Sequence, residues 1–331
     1  MTRFFDQKKI ITILFISAVS ILFINFLLDK FFLKNHNDEN IEISSAEIDS
    51  TFRTALSNVG ISNDWIKKQK GVEPLNFTVK IPNDLPIVVV LQELNNVFDT
   101  NLVKIIAVEK KISGSTIINF VSGGNEKLKA SLIYNSNVKR KTVRIGFIVN
   151  RNEIDTEADS LLLQYPEQFA FILIPSENSA AFVKKILANG KEYIIYLNDQ
   201  IDELKFKLSD DYSLLRLRNS VREIVGTFPN AVFFLIDDKS SLYNSTVYPL
   251  LKEELEKRKI KLLSESSFKN LSSTENENSV ELFNNSLKNL NSGEDKVYLI
   301  SDEDFISINP EIIAYRKLGY RFTNPSALLF N

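Results

Sequence analysis

The spacing of hydrophobic positions changes character along the chain, and the changes divide it. The densest pattern opens at residue 143 with the apolar run VRIGFIV, which stops abruptly at Asn150-Arg151-Asn152-Glu153. A helix-length segment follows. A second run over 169–174 stops at Pro175, a helical segment covers 179–187, and a third run over 192–197 stops at Asn198-Asp199. Short, continuously apolar, β-rich runs separated by helix-length segments predict parallel strands buried on both faces. The same grammar continues with strands over 231–236, 260–263, 297–300 and 319–322, and with helices over 212–225, 248–259 and 310–318. Residues 266–295, rich in Asn, Ser and Glu, predict a loop disordered at its start and then a helix whose buried face is Val280, Phe283, Leu287 and Leu290. The expected architecture is an α/β, (β/α) barrel-like domain over 141–331, with chemistry at its strand tips. Strand–helix alternation does not distinguish a closed barrel from an open one.

Upstream the pattern is different. Residues 46–70 carry Ile48, Phe52, Leu56 and Val59 at helical spacing, with Trp65 and Ile66 behind. An alternating strand over 75–81 is closed by Pro82, Pro86 opens a helix over 87–98, and strands follow over 103–108, 116–121 and 128–134. These elements predict a small α+β module over 46–135, joined to the larger domain by the polar stretch 135–142. The run bounded by Ile10 and Leu28 is uncharged, almost wholly apolar and long enough to cross a bilayer as a helix. It lacks the short apolar region and small-residue cleavage pattern of a signal peptide, so it predicts an uncleaved transmembrane signal anchor over 1–34 and a linker over 35–45. Arg3, Lys8 and Lys9 precede the run, and Lys30 and Lys34 follow it. This balance favours a cytoplasmic N-terminus, making the chain a single-pass membrane protein with its main domains periplasmic or extracytoplasmic.

Composition narrows the chemistry. A net charge of -2 gives no basic field, so nucleic acid is not an expected partner. The absence of cysteine excludes disulfides, thiolate metal sites and cysteine nucleophiles. The single histidine, His36, lies beside the expected membrane segment, where it reads as a solvated linker residue. The 24 phenylalanines fall mostly at strand and helix core positions and argue for packing.

Several ordered pieces of the larger domain carry a family resemblance. They are Phe171-Ile172-Leu173-Ile174-Pro175, then Gly190-Lys191-Glu192 leading into residues 193–197, Phe228-Pro229-Asn230-Ala231-Val232 leading to Ser240, and Gly319-Tyr320-Arg321-Phe322 with Pro325-Ser326. In that order and spacing, the region from about residue 141 to 330 resembles the divergent polysaccharide deacetylase family, a branch of the carbohydrate esterase four-like (β/α) barrel folds. The resemblance implies a divalent metal held by an aspartate and two histidines, which activates the water that attacks an acetamide carbonyl. Where the family has paired aspartates after the first strand, this chain has Asn150-Arg151. Tyr196 stands at the first family histidine, Asp237-Asp238-Lys239-Ser240 at the Asn-His-Met-Gly-Ser motif, and a position near Ser301 at the last.

The candidate cleft residues are therefore Asn150, Arg151, Glu192, Tyr196, Asp199, Asp237, Asp238 and Ser240. Tyr196 and Arg151 form a candidate sugar-facing pair. Glu177, Asp199, Asp237, Asp238, Glu265, Asp302 and Asp304 are acids expected at strand ends, with Asp237 and Asp238 as candidate ligands of a hard cation. The expected function is a membrane-anchored, non-catalytic relative that needs no cofactor and binds envelope glycan or an envelope protein. The alternative is an active carbohydrate deacetylase or hydrolase with a divalent cation in a rebuilt carboxylate site. A purely structural envelope scaffold is the third reading.

Overall fold

The computed structural model describes residues 42–69, 71, 73–110, 114–151 and 156–330, without side chains for 156–159. The expected membrane run, its flanking charges and His36 lie outside the described residues. Among those described, no helix is long and apolar enough to cross a membrane. The chain divides into two compact units, one made of the segments up to residue 53, 66–79 and 94–133, the other of 54–65, 80–93 and everything from 134 onward.

A five-stranded sheet dominates the first unit. Its strands are β1 (Ile66–Lys68), β2 (Leu75–Ile81), β3 (Lys104–Glu109), β4 (Thr116–Ser122) and β5 (Asn125–Tyr134), in the order β1-β2-β5-β4-β3. Alternation in β4 buries Ile118 and Phe120 on one face, as a half-covered strand requires. Helix α1 (Ser45–Asn58) lays Phe52 against that face, its ring 5.7 Å from Phe77 and 5.5 Å from Phe120. The helical pattern expected through residue 70 ends earlier. Gly60, at φ +79, takes a left-handed conformation that a helix cannot continue, and Ile66–Lys68 instead pairs antiparallel with Phe77–Val79. Ile66 follows Val59 by seven residues, a helical spacing, so the apolar positions alone do not mark the break.

The second unit is built on an eight-stranded sheet. Its strands are β6 (Arg144–Asn150), β7 (Ala170–Leu173), β8 (Glu192–Leu197), β9 (Phe234–Ile236), β10 (Leu262–Ser264), β11 (Lys269–Asn270), β12 (Asp295–Ser301) and β13 (Arg321–Phe322). The order is β10-β9-β8-β7-β6-β12-β11, with β13 also on β6, and each pairing is parallel. The strands foreseen from the sequence are present. The sheet curls without closing, because its end strands β10 and β11 do not pair with each other.

Both sheet faces are apolar. Phe147, Phe171, Tyr193 and Ile195 point to the helix side, while Ile148, Ile172, Ile194 and Leu235 line the interior. Among the elements of this unit not foreseen are β11 and a short helix after β12. β11 has only two residues and so carries no pattern, yet Leu271 N–H donates to Leu299 O and ties down a segment expected to be disordered. Residues Asp302–Ser307 form a short helix whose Phe305 ring lies 5.2 Å from Phe147 and 4.9 Å from Phe169. Its signal is the Ser301-x-x-Asp304 cap, in which Asp304, expected as a strand-end acid, lies in the first turn of the helix.

The chain's C-terminal segment fills the interior. Leu328, Leu329 and Phe330 pack against the inner face, with Phe330 6.0 Å from Phe233 and the Lys261 ammonium 4.2 Å above its ring. This segment explains Gly146, where an added Cβ would lie 3.1 Å from Leu328 Cδ1 and 3.2 Å from Pro325 Cα.

Candidate functional site

Parallel strands deliver their C-terminal ends to one edge of the sheet. Register places Tyr196 beside Leu235 and Leu197 beside Ile236, so Asp237 and Asp238 leave β9 next to the end of β8. Ser264 pairs with Ile236, which brings Glu265 to the same edge, and Ser301 pairs with Asn150. An open pocket of ≈ 390 Å³ forms here, lined by Tyr196, Asp237, Asp238, Lys239, Glu265 and Phe268, with Ser266, Asn270 and Leu299 completing the wall. The lining runs from β8 through β9 and β10 to β11 and β12, across the side where the sheet stays open.

Tyr196 is its focus. The phenol donates a 2.5 Å hydrogen bond to Glu265 Oε2. Burial raises its pKa, and the bond to Glu265 and the negative charges of Asp237 and Asp238 raise it further, so the phenol stays neutral and a donor. Asp238 behaves oppositely. Burial pushes its carboxyl up, but hydrogen bonds from the Ser264 hydroxyl and the Ser266 N–H, the latter at 2.7 Å, outweigh this and hold it below the ordinary aspartate value. Asp237 Oδ1 accepts the Lys239 N–H at 2.8 Å, while its carbonyl accepts the Ser240 hydroxyl at 2.6 Å. Ser240 is buried and also accepts the Tyr243 N–H, so it shapes the loop rather than facing a ligand.

The other sequence candidates lie elsewhere. Asp199 accepts both the N–H and the hydroxyl of Ser241, at 2.8 and 3.0 Å, and is absent from the pocket wall. Arg151 stacks its guanidinium 4.5 Å over the Phe182 ring, so the expected Arg151–Tyr196 pair is not assembled. Asn150 is exposed at the tip of β6 and also outside the wall. Glu192 opens β8, at the opposite end from Tyr196, where its carboxylate accepts the N–H and hydroxyl of Ser326. Its neighbour Lys191 is buried and donates to the carbonyls of Tyr165 and Glu167. Of the strand-end acids, Glu177 pairs with Lys205, and Asp304 accepts from Ser273 and Ser301. Phe268 and Asn270 were missed because they belong to the two-residue strand and the turn before it. Among the described residues no group of three or more His, Asp or Glu side chains is arranged to hold a metal ion.

No family model matches the chain, and no curated protein matches it by sequence. The solved structures it is similar to include carbohydrate esterase family CE4 proteins. One is BA3943 of Bacillus anthracis, described as a CE4 family pseudoenzyme, at 14% identity over 59% of this chain and 67% of that chain, TM-score 0.39. Another is a Streptococcus mutans CE4 esterase, at 15% identity over 56% of this chain and 86% of that chain, TM-score 0.36. A third is the peptidoglycan deacetylase PdaC from Bacillus subtilis, at 14% identity over 57% of this chain and 90% of that chain, TM-score 0.36. Likeness at this level assigns neither activity nor ligand to this chain.

Proposed function

We propose that the chain is a non-catalytic saccharide-binding protein of the cell envelope that uses the Tyr196–Glu265 pocket as its binding site. One observation carries this reading: at the strand ends where the sequence resemblance implies metal ligands, the phenol of Tyr196 is committed to Glu265, yet the pocket around it stays open. The donor set there is a neutral amide at Asn150, a phenol at Tyr196, a carboxylate at Asp238 already bound by two serines, and a hydroxyl at Ser301 that donates to Asp304. It does not fit the Asp-and-two-His set of a metal-activated water. Tyr196 and Phe268 supply apolar ring surface for the C–H face of a sugar, and Asn270, Ser266 and the carboxylates supply hydroxyl partners. The apolar run between Ile10 and Leu28 belongs to the same proposal as a membrane anchor that would hold this pocket outside the cytoplasm.

The test is metal content and acetate release together. Full-length protein purified in detergent is incubated with N-acetylated glycan oligomers, with and without added divalent cations. The proposal expects no stoichiometric metal and no acetate above the buffer rate. Cation-dependent acetate release from folded protein would overturn it in favour of a rebuilt hydrolase.

A further inference from the structure

Resting on the saccharide reading, the charge of the pocket selects among saccharides. Its wall carries the carboxylates of Asp237, Asp238 and Glu265 against the single ammonium of Lys239. Not all of their oxygens are spent. Asp237 Oδ1 and Glu265 Oε2 each accept one hydrogen bond, while Asp237 Oδ2 and Glu265 Oε1 accept none from the described residues. The Tyr196 phenol donates to Glu265 and not toward a ligand carbonyl. What remains is a cavity whose three carboxylates outweigh the one positive charge of Lys239, with two aromatic rings on its wall. We infer that this pocket takes a saccharide bearing a free, protonated amine, that is, a 2-amino sugar without its acetyl group, in preference to the N-acetylated form.

Elementary chemistry gives the sign. An ammonium brings three donors and a positive charge to unspent carboxylate oxygens, forming charge-assisted hydrogen bonds in a partly desolvated site. An acetamide offers one N–H, and its carbonyl oxygen would face three carboxylates with Lys239 as its only cationic partner. An unsubstituted hydroxyl is neutral and gains no Coulomb term. The preference is thus set by residues of this chain and is separable from sugar binding as such.

The experiment is a calorimetric titration of the full-length protein in detergent with three β-1,4-linked oligomers of equal length: glucosamine, N-acetylglucosamine and glucose. Wild type is compared with D237N/E265Q and with D199N, which removes an acid outside the pocket. The inference expects the glucosamine oligomer to bind at least tenfold tighter than the other two. D237N/E265Q should reduce that preference to about twofold or less, and D199N should keep it. Equal binding of all three, or tighter binding of the acetylated oligomer, would overturn the amine selectivity while leaving saccharide binding intact. An amine preference unchanged in D237N/E265Q would also overturn it, since the attraction would then come from elsewhere. Displacement of the oligomer by Mg²⁺ at stoichiometric amounts would reassign the pocket to a cation. Binding of none of the three by folded protein would overturn the saccharide reading itself.

Discussion

Replacing Glu192 is expected to lower the stability of the larger unit and to leave saccharide affinity unchanged. The resemblance puts this residue in the cleft. In the structure its carboxylate instead accepts the Ser326 N–H at 3.2 Å together with the Ser326 hydroxyl, at the first residue of the short helix Ser326–Leu329. Glu192 and Tyr196 are four residue steps apart along extended strand, roughly 13 Å at about 3.3 Å per residue. Replacing Glu192 with Ala removes a charged acceptor from two donors and loosens the segment that carries Leu328 and Phe330 into the sheet interior. Hydrogen bonds to a charged group contribute about 1.5–3 kcal/mol, and partial exposure of Glu192 places the loss near the lower end, about 2 kcal/mol. For a unit of this size that corresponds to a fall in melting temperature of roughly 4–8 °C. Glu192→Gln, which keeps an acceptor but not the charge, should lose about half as much. Circular-dichroism melting gives the stability and saccharide titration gives the affinity. A lower melting temperature with unchanged affinity is expected. Unchanged stability with lost binding would refute the argument and return Glu192 to the cleft.

Three further outcomes are expected. Gly146→Val should destabilise by about 1–3 kcal/mol through overpacking against Pro325 and Leu328, and Leu328→Ala in the same chain should recover part of that loss, read by urea unfolding. Glu254 is held by hydrogen bonds from Arg258 and Arg218, with Lys257 adding to them, which lowers its pKa to about 2. Because the folded value lies below the unfolded 4.5, its contribution is present above pH 4.5 and is lost as pH falls through about 2. Glu254→Gln should therefore cost about 1 kcal/mol at neutral pH and match wild type near pH 2, as followed by melting across that range. At the pocket, Tyr196→Ala should weaken saccharide binding roughly three- to tenfold by removing an aromatic face, whereas Tyr196→Phe should change it less than twofold because the lost hydroxyl serves Glu265.

The strands of the larger domain are legible because a parallel strand buried on both faces is apolar along its middle, and short runs such as residues 145–149, bounded by polar residues, fit that pattern. Tyr196, Asp237 and Asp238 could be placed at one edge for the same reason, since parallel strands end together. What escaped was set by tertiary contact. Phe268 and Asn270 reach the wall through a two-residue strand that pairs with Tyr298 and Leu299, a length below any period. Glu265 was visible as a strand-end acid, but its bond to Tyr196 crosses 69 positions and no local pattern encodes it. Arg151 follows the right strand, yet the nearby Phe182 ring takes its guanidinium. Asp304 looked like a free acid because capping and ligation use the same residue types at a strand–helix junction.

Saccharide binding at the pocket around Tyr196 is the property on which the proposed function stands. It is tested most directly by titrating full-length wild type and a Tyr196→Ala/Phe268→Ala variant, each shown to be folded by circular dichroism, with the glucosamine, N-acetylglucosamine and glucose oligomers. Saturable binding to wild type, weakened at least tenfold in the double variant, is expected. Equal affinity in both proteins, or no binding to either, would contradict it.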